Sequence, residues 1–231
     1  MPEPTKAPLV WDAVGSRYYE NGVDHCVLYL QNSEGKYPNG VAWNGITTVT
    51  ESPDGAEPTD LYADNLKYAT LRSAETLGGT IEAYTYPDEF GACDGTATPE
   101  GLTGVYVGQQ KRAAFGLAYR TQIGNDTATE DDDGYKLHLV YGATASPSEK
   151  SYESINESPD AITFSWEFTT TPVGVTGMKA TSTLIIDSTK TDKKALAAIE
   201  KVLFGSAEAA ARLPLPDEVF SIMKAGMTAE G

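Results

Sequence analysis

The tightest constraint on this chain is a two-residue periodicity that recurs through its middle and second half. Between 162 and 169, Ile162, Phe164, Trp166 and Phe168 alternate with Thr163, Ser165, Glu167 and Thr169. Successive side chains of a strand point to opposite faces, so this run predicts a strand with one apolar and one polar face. Phe115, Leu117, Tyr119, Thr121 and Ile123 alternate in the same way with Gly116, Ala118, Arg120 and Gln122. Tyr135, Leu137, Leu139 and Tyr141 alternate with Lys136 and His138. Further strands are expected at 24–31, 41–50, 66–75, 79–86, 104–109 and 179–187, punctuated by Gly, Pro, Asn and Asp. The fold class is therefore mainly β, a largely antiparallel β-sandwich or open barrel.

A helix is expected to flank the sheet. Asp192 is a credible N-cap, Leu196, Ile199 and Leu203 share one helical face, and Gly205 can adopt the left-handed conformation that ends a helix. Lys193 and Lys194 in the first turn oppose the helix dipole at a cost of a few tenths of a kcal/mol. A second short helix is expected after Leu213-Pro-Leu-Pro216, capped by Asp217 and running toward Met223. Two stretches fit a core poorly. Region 31–65 is turn-rich and holds Pro38, Pro53 and Pro58, and 124–134 ends in four consecutive acids, Glu130, Asp131, Asp132 and Asp133, before Gly134. Loops this long are usually functional. The expected organisation is one domain over 1–231, with a core of about 8–204, an extended loop at 31–65 and a C-terminal arm at 205–231.

Charge narrows the function. Thirty-three acids against 17 bases give a net charge of −16, and the bases are scattered. Tight binding of a nucleic acid needs clustered Lys and Arg, so it is not expected, whereas solubility alone accounts for such a charge. No run approaches the roughly 18 apolar residues of a membrane span, and the first residues lack the apolar core of a secretory signal. Cys26 and Cys93 read as free thiols, with Cys26 a small core hydrophobe.

The chemistry of catalysis is sparse. His25 and His138 both lie in strand patterns, and no nucleophile elbow, phosphate loop or zinc-spaced histidine pair occurs. The acids at 130–133, with Asn125 and Asp126 before them, imitate a calcium loop but lack the EF-hand order of ligands. No catalytic, cofactor or metal residue is assigned. Trp166 is assigned to the core, and Trp43 with the tyrosines of 31–65 to a contact surface, because aromatics are enriched at protein contacts. Two function classes remain: a self-assembling structural subunit, or a monomeric β-sandwich that binds carbohydrate or acts as a glycosidase-like enzyme.

Several blocks distinguish them. Gly40-Val-Ala-Trp-Asn-Gly45, Glu51-Ser-Pro-Asp-Gly-Ala-Glu-Pro-Thr59, Leu61-Tyr-Ala-Asp-Asn65, Thr85-Tyr-Pro-Asp-Glu-Phe90, Phe115–Asp126, Gly134–Tyr141 and Ser165–Pro172 follow one another along nearly the whole chain. In this order they resemble the major tail proteins of long-tailed, non-contractile bacteriophages. The resemblance implies a β-sandwich with a flanking helix, no catalytic residues, and hexameric rings stacked into a tail tube whose inner β-barrel is closed by sheets from six subunits. It implies a virion protein made and assembled in the host cytoplasm, with tape measure, tail terminator and distal tail proteins as partners. DNA would pass through without specific binding. The inner tube of a contractile apparatus shares this architecture. Assembly contacts are expected at Trp11, Trp43, Pro53, Glu57, Pro58 and Tyr62, with the loop at 31–65 touching the adjacent ring and the acids at 130–133 facing either lumen or exterior. Removal of residues 32–42 is expected to leave a folded monomer that no longer polymerises.

Overall fold

The computed structural model describes residues 8–55, 57–127, 134–155 and 160–228. Its strands are β1 (Tyr19–Leu30), β2 (Gly40–Ala42), β3 (Ile46–Gly55), β4 (Pro58–Ala63), β5 (Leu66–Arg72), β6 (Glu75–Ala83), β7 (Phe115–Gly124), β8 (Tyr135–Ala145), β9 (Phe164–Thr170) and β10 (Thr183–Asp187). The helices are a single turn, α1 (Gly91–Asp94), then α2 (Lys193–Leu203) and α3 (Pro216–Thr228). The main sheet is antiparallel in the order β2-β1-β7-β8-β9-β6-β3, with β10 also on β8, while β4 and β5 form a separate ribbon. The mainly β architecture with a flanking helix is the one the periodicity predicts.

β8 is where the sheet changes direction. Its first half pairs with β7 on one side and with β10 on the other, from Lys136↔Asp187 to Val140↔Thr183. Beyond Gly142, Ala143 to Ala145 pair instead with Thr170 to Phe168 of β9. Gly142 has φ +62° and accepts a hydrogen bond from Thr171 N at 2.9 Å. A Cβ at this position would lie 2.3 Å from the Thr171 carbonyl oxygen. Only glycine fits such a close backbone approach.

The bend folds the sheet over on itself and makes the first core. Cys26 and Leu28 of β1, Phe115, Leu117 and Tyr119 of β7, and Val140 of β8 pack against Leu77 and Ile81 of β6 and Trp166 and Phe168 of β9. Its centre is aromatic: Phe90 lies 4.5 Å from Trp43, 5.0 Å from Trp166 and 5.6 Å from Phe115 between ring centroids. Trp166 is fully buried, as expected.

The opposite face of β1, β7, β8 and β10 carries the second core, which the helices cover. Val27, Tyr29, Ala118, Leu137, Leu139, Tyr141 and Ile186 meet Leu196, Ile199 and Leu203 of α2 and Val219 of α3. Asp192 caps α2, accepting from Lys194 N at 3.0 Å and Ala195 N at 3.1 Å, and Gly205 follows the helix at φ +80°. Both features match the sequence reading. The central strands, by contrast, are buried on both faces, because the helices need apolar residues where a two-layer sandwich would show polar ones.

Three expectations are corrected. Residues 104–109 form no strand; Val107 makes one bridge to Ala97. Region 31–65 is not mainly loop, since β2, β3 and β4 all start within it. The strand expected at 41–50 corresponds to β2 and the first half of β3; the rest of β3 and all of β4 carry no such signal, because most of their side chains are exposed and show no apolar alternation. Pro53 sits in β3, the last strand of the sheet order, where a missing N–H is tolerated. The C-terminal segment is not an extended arm either. Leu213 is buried, Arg212 N donates to Val202 O, and α3 packs on α2 with Gly226 so close that a Cβ would lie 2.9 Å from Ala195 Cα. Its apolar face holds it on the body.

A polar cluster at the β1 bulges makes stability acid-sensitive. Asp24 accepts from Arg120 Nε at 2.8 Å and from Gln122 Nε2 at 3.1 Å, beside His25 Nδ1 at 2.9 Å. Burial pushes its carboxyl up, yet these bonds outweigh burial and hold it at about 2, below the ordinary 3.8. A depressed carboxylate contributes stability above 3.8 that is lost as pH falls toward 2. Asp24→Asn should cost about 1 kcal/mol at neutral pH, once solvent screening is allowed for, and flatten the acid limb. Urea melts of both proteins across that range check this.

Candidate assembly interface

β3 and β6 pair from Ile46↔Ala83 out to Gly55↔Glu75, and β4 and β5 continue the excursion as a hairpin. Asp64 and Asn65 make its two-residue turn, with φ of +49° and +64°, the signature of a type I′ turn. Every residue of β4, and all but one of β5, is exposed. An isolated two-stranded ribbon is at best marginally stable in water.

The register gives the ribbon two different faces. Thr59↔Leu71, Leu61↔Ala69 and Ala63↔Leu66 share one face, which is apolar apart from Thr59. Pro58↔Arg72, Asp60↔Thr70 and Tyr62↔Lys67 share the other. There Asp60 pairs with Lys67 Nζ at 2.8 Å and accepts from Thr70 Oγ1 at 2.8 Å. Tyr68 is the extra residue at the bulge and is 78% exposed. Polar pairs satisfy one face, while the other presents leucines to water.

Glu51 pins the root of this arm to the body. It accepts from Tyr119 Oη at 2.6 Å, and His138 Nδ1 stands 3.7 Å away, too long for a hydrogen bond. The His138 ring stacks on Tyr119 with centroids 4.7 Å apart, and its Nε2 lies 3.0 Å from Thr121 Oγ1. His138 and Tyr119 hold the Glu51 carboxyl below its ordinary value against the opposing effect of burial. His138 is thus hydrogen-bonded and enclosed rather than facing solvent.

The sequence-predicted contact residues separate into two groups. Pro53, Glu57, Pro58 and Tyr62 all lie on the arm and are exposed. Trp11 lies apart on the N-terminal segment and is 75% exposed. Trp43 does not belong with them: it is 3% exposed, and its Nε1 donates to Thr85 O at 2.9 Å. Its aromatic neighbours claim it for the first core, so it is corrected to a structural residue. Glu130, Asp131, Asp132 and Asp133 lie outside the described residues. The 32–42 deletion also needs correction. Tyr37 within it is buried and its hydroxyl accepts from Gly142 N at 2.8 Å, so that cut would damage the fold.

The other half of the arm, Leu66, Tyr68 and Leu71, went unassigned to any contact. The Asp64-Asn65 pair between two exposed strands was the available signal. Burial pushes the thiols of Cys26 and Cys93 up to about 12, and among the described residues no three His, Cys, Asp or Glu side chains are grouped to hold a metal ion. No described helix is long and apolar enough to cross a membrane.

A family model described as phage tail tube protein matches residues 16–224. The chain belongs to this family. A search among curated proteins finds no match. The match spans the sandwich, the arm, α2 and most of α3, leaving Trp11 outside it. The tail tube protein is a structural component of the phage virion, and its family implies assembly with other tail proteins into a multimeric tube.

Proposed function

We propose that six copies close into a ring, that rings stack head to tail into the tail tube, and that the bore conducts the genome during ejection. The arm carries this reading. It is an amphipathic ribbon with an exposed leucine face, projecting from a body whose own cores are already filled. Stacking by such an arm is a heterologous contact, which repeats without closing and so builds a filament. The terminal strands β2 and β3 of the main sheet are edges that neighbouring copies can extend into a continuous barrel, removing a source of uncontrolled aggregation.

The protein acts here as a scaffold and not as an enzyme. Its partners are further copies of itself, the tape measure protein along the bore, and the terminator and distal tail proteins at the ends. DNA passes without specific binding, and the non-contractile setting follows the resemblance. Glu57, Pro58 and Tyr62 belong to the ring-to-ring contact, and Pro53 to the arm root. Negative-stain electron microscopy of the concentrated protein tests the reading: hollow tubes or six-fold rings are expected. Tails of the intact virion whose discs lack this chain would overturn it.

Charge adds a prediction. Six copies at −16 apiece give a ring of −96 formal charges, so like charge opposes stacking. Assembly should quicken from low to physiological ionic strength, as the Debye length falls to about 8 Å. Light scattering during assembly reads this directly, and a flat salt response would count against it.

A further inference from the structure

One sheet face remains open to solvent on the body. Where β3, β6 and β9 lie side by side, the register sets out three rows: Thr48–Glu82–Ser165, Thr50–Thr80–Glu167 and Ser52–Gly78–Thr169. Residues in these rows alternate with Val49, Ile81, Trp166 and Phe168, which face the first core. The outward surface therefore consists of hydroxyls, one glycine and two carboxylates.

What sets this face apart is the absence of cations and of apolar side chains together. β3, β6 and β9 contain no lysine or arginine, although the chain has 17. Of the other strands in the main sheet, β7 carries Arg120 and β8 carries Lys136, while β1, β2 and β10 have no lysine or arginine either. Nor does the outward face present an aromatic or a large aliphatic side chain. The arm, built from the same excursion, has just such an apolar face. An interface between copies needs an apolar centre, and this surface has none.

We propose that this face lines the bore, and that the partner it meets is the sugar–phosphate backbone of a double-stranded nucleic acid sliding past. The inference rests on the tube reading above and adds to it which strands form the wall. Adhesion to a duplex comes from Lys and Arg neutralising phosphates and from side chains reaching the bases. Short hydroxyl side chains in a regular ladder do neither, and Glu82 and Glu167 repel the polyanion. Only these two carboxylates stand in the three rows, so most of the −16 charge lies elsewhere on the molecule. The wall is passive because cations are missing, more than because acids are dense.

Site-directed thiol labelling of the full-length protein tests this. The native cysteines are buried with thiols at about 12, so they stay silent to maleimides at neutral pH. Thr50→Cys and Glu167→Cys each place one reactive thiol on the face. Before assembly, both should react with a small maleimide and with a maleimide carrying a polyethylene glycol chain too bulky to travel down the bore. In tubes, reaction with the small reagent should persist and reaction with the bulky one should be lost. Retained reaction with both would put the face on the exterior. Loss of both, or failure of both variants to assemble when the wild type does, would put it between copies. Either result overturns the inference while leaving the tube reading intact. Absence of tubes from wild-type protein and from virion tails alike would instead remove the reading on which it rests.

Discussion

A chain in which residues 57–73 are replaced by a short glycine turn should fold normally and fail to polymerise. The segment contributes nothing to either core, and nearly all its residues are exposed. Its removal therefore leaves the melting temperature almost unchanged. The loss at the interface is large. Burying Leu61, Leu66 and Leu71 in a neighbour is worth about 1.5–3 kcal/mol each, so together they amount to several factors of ten in the association constant. Leu61→Asp should reproduce part of the defect, because a charge would have to be desolvated at the same contact. Sedimentation velocity reports assembly and circular dichroism reports folding. Normal tubes from the shortened chain would refute the arm's role.

Gly142→Ala should produce the opposite phenotype, a fold defect without any direct effect on a contact surface. The position has φ +62°, and the added methyl would stand 2.3 Å from Thr171 O, at the point where β8 leaves β10 for β9. Backbone strain and displacement of the crossing strand together should cost about 3 kcal/mol or more. That is a large share of the 5–15 kcal/mol that typically separates folded from unfolded states. Gly22→Ala is the control: φ is +64° there, but nothing lies within 4 Å of the new Cβ, so only a conformational cost of about 1 kcal/mol is expected. Denaturant midpoints of the two variants should differ clearly, and equal midpoints would show that the turn in β8 tolerates rearrangement.

The contrast between Trp166 and Trp43 shows what the sequence makes legible. Trp166 stands in a run of alternating large apolar residues, and that pattern by itself assigns it to a core. Trp43 ends the short run Val41-Ala42 and is followed by Asn44-Gly45, with no alternating apolar partners, so only the tertiary arrangement of Phe90 and Trp166 reveals that it is interior. The same reasoning explains the arm. A strand is readable when one face is buried within its own chain, and β3 beyond Glu51 and β4 have no such face, whereas β5 falls within the strand expected at 66–75. Likewise α2 was visible through Asp192 and its leucine spacing, whereas the packed C-terminus depends on Leu213 and Gly226 meeting distant partners. The contact candidates on the arm rest on loop chemistry and resemblance, and the hairpin register sorts them by face. Glu51 was hidden because its partners, Tyr119 and His138, are more than 60 residues away in sequence.

Beyond a bulge at Thr47, β3 and β6 pair without interruption from the open polar face to the root of the arm, from Thr48↔Glu82 to Gly55↔Glu75. At about 3.3 Å per residue, the ten residues of β3 form a stiff span of some 30 Å. In a tube built this way, the wall of the bore and the joint between rings are two ends of one beam, held at its middle by Glu51 on Tyr119. A curve imposed on the tail cannot be taken up at the joints alone: the same strands carry the load into the bore, so flexing and bore geometry are mechanically one variable.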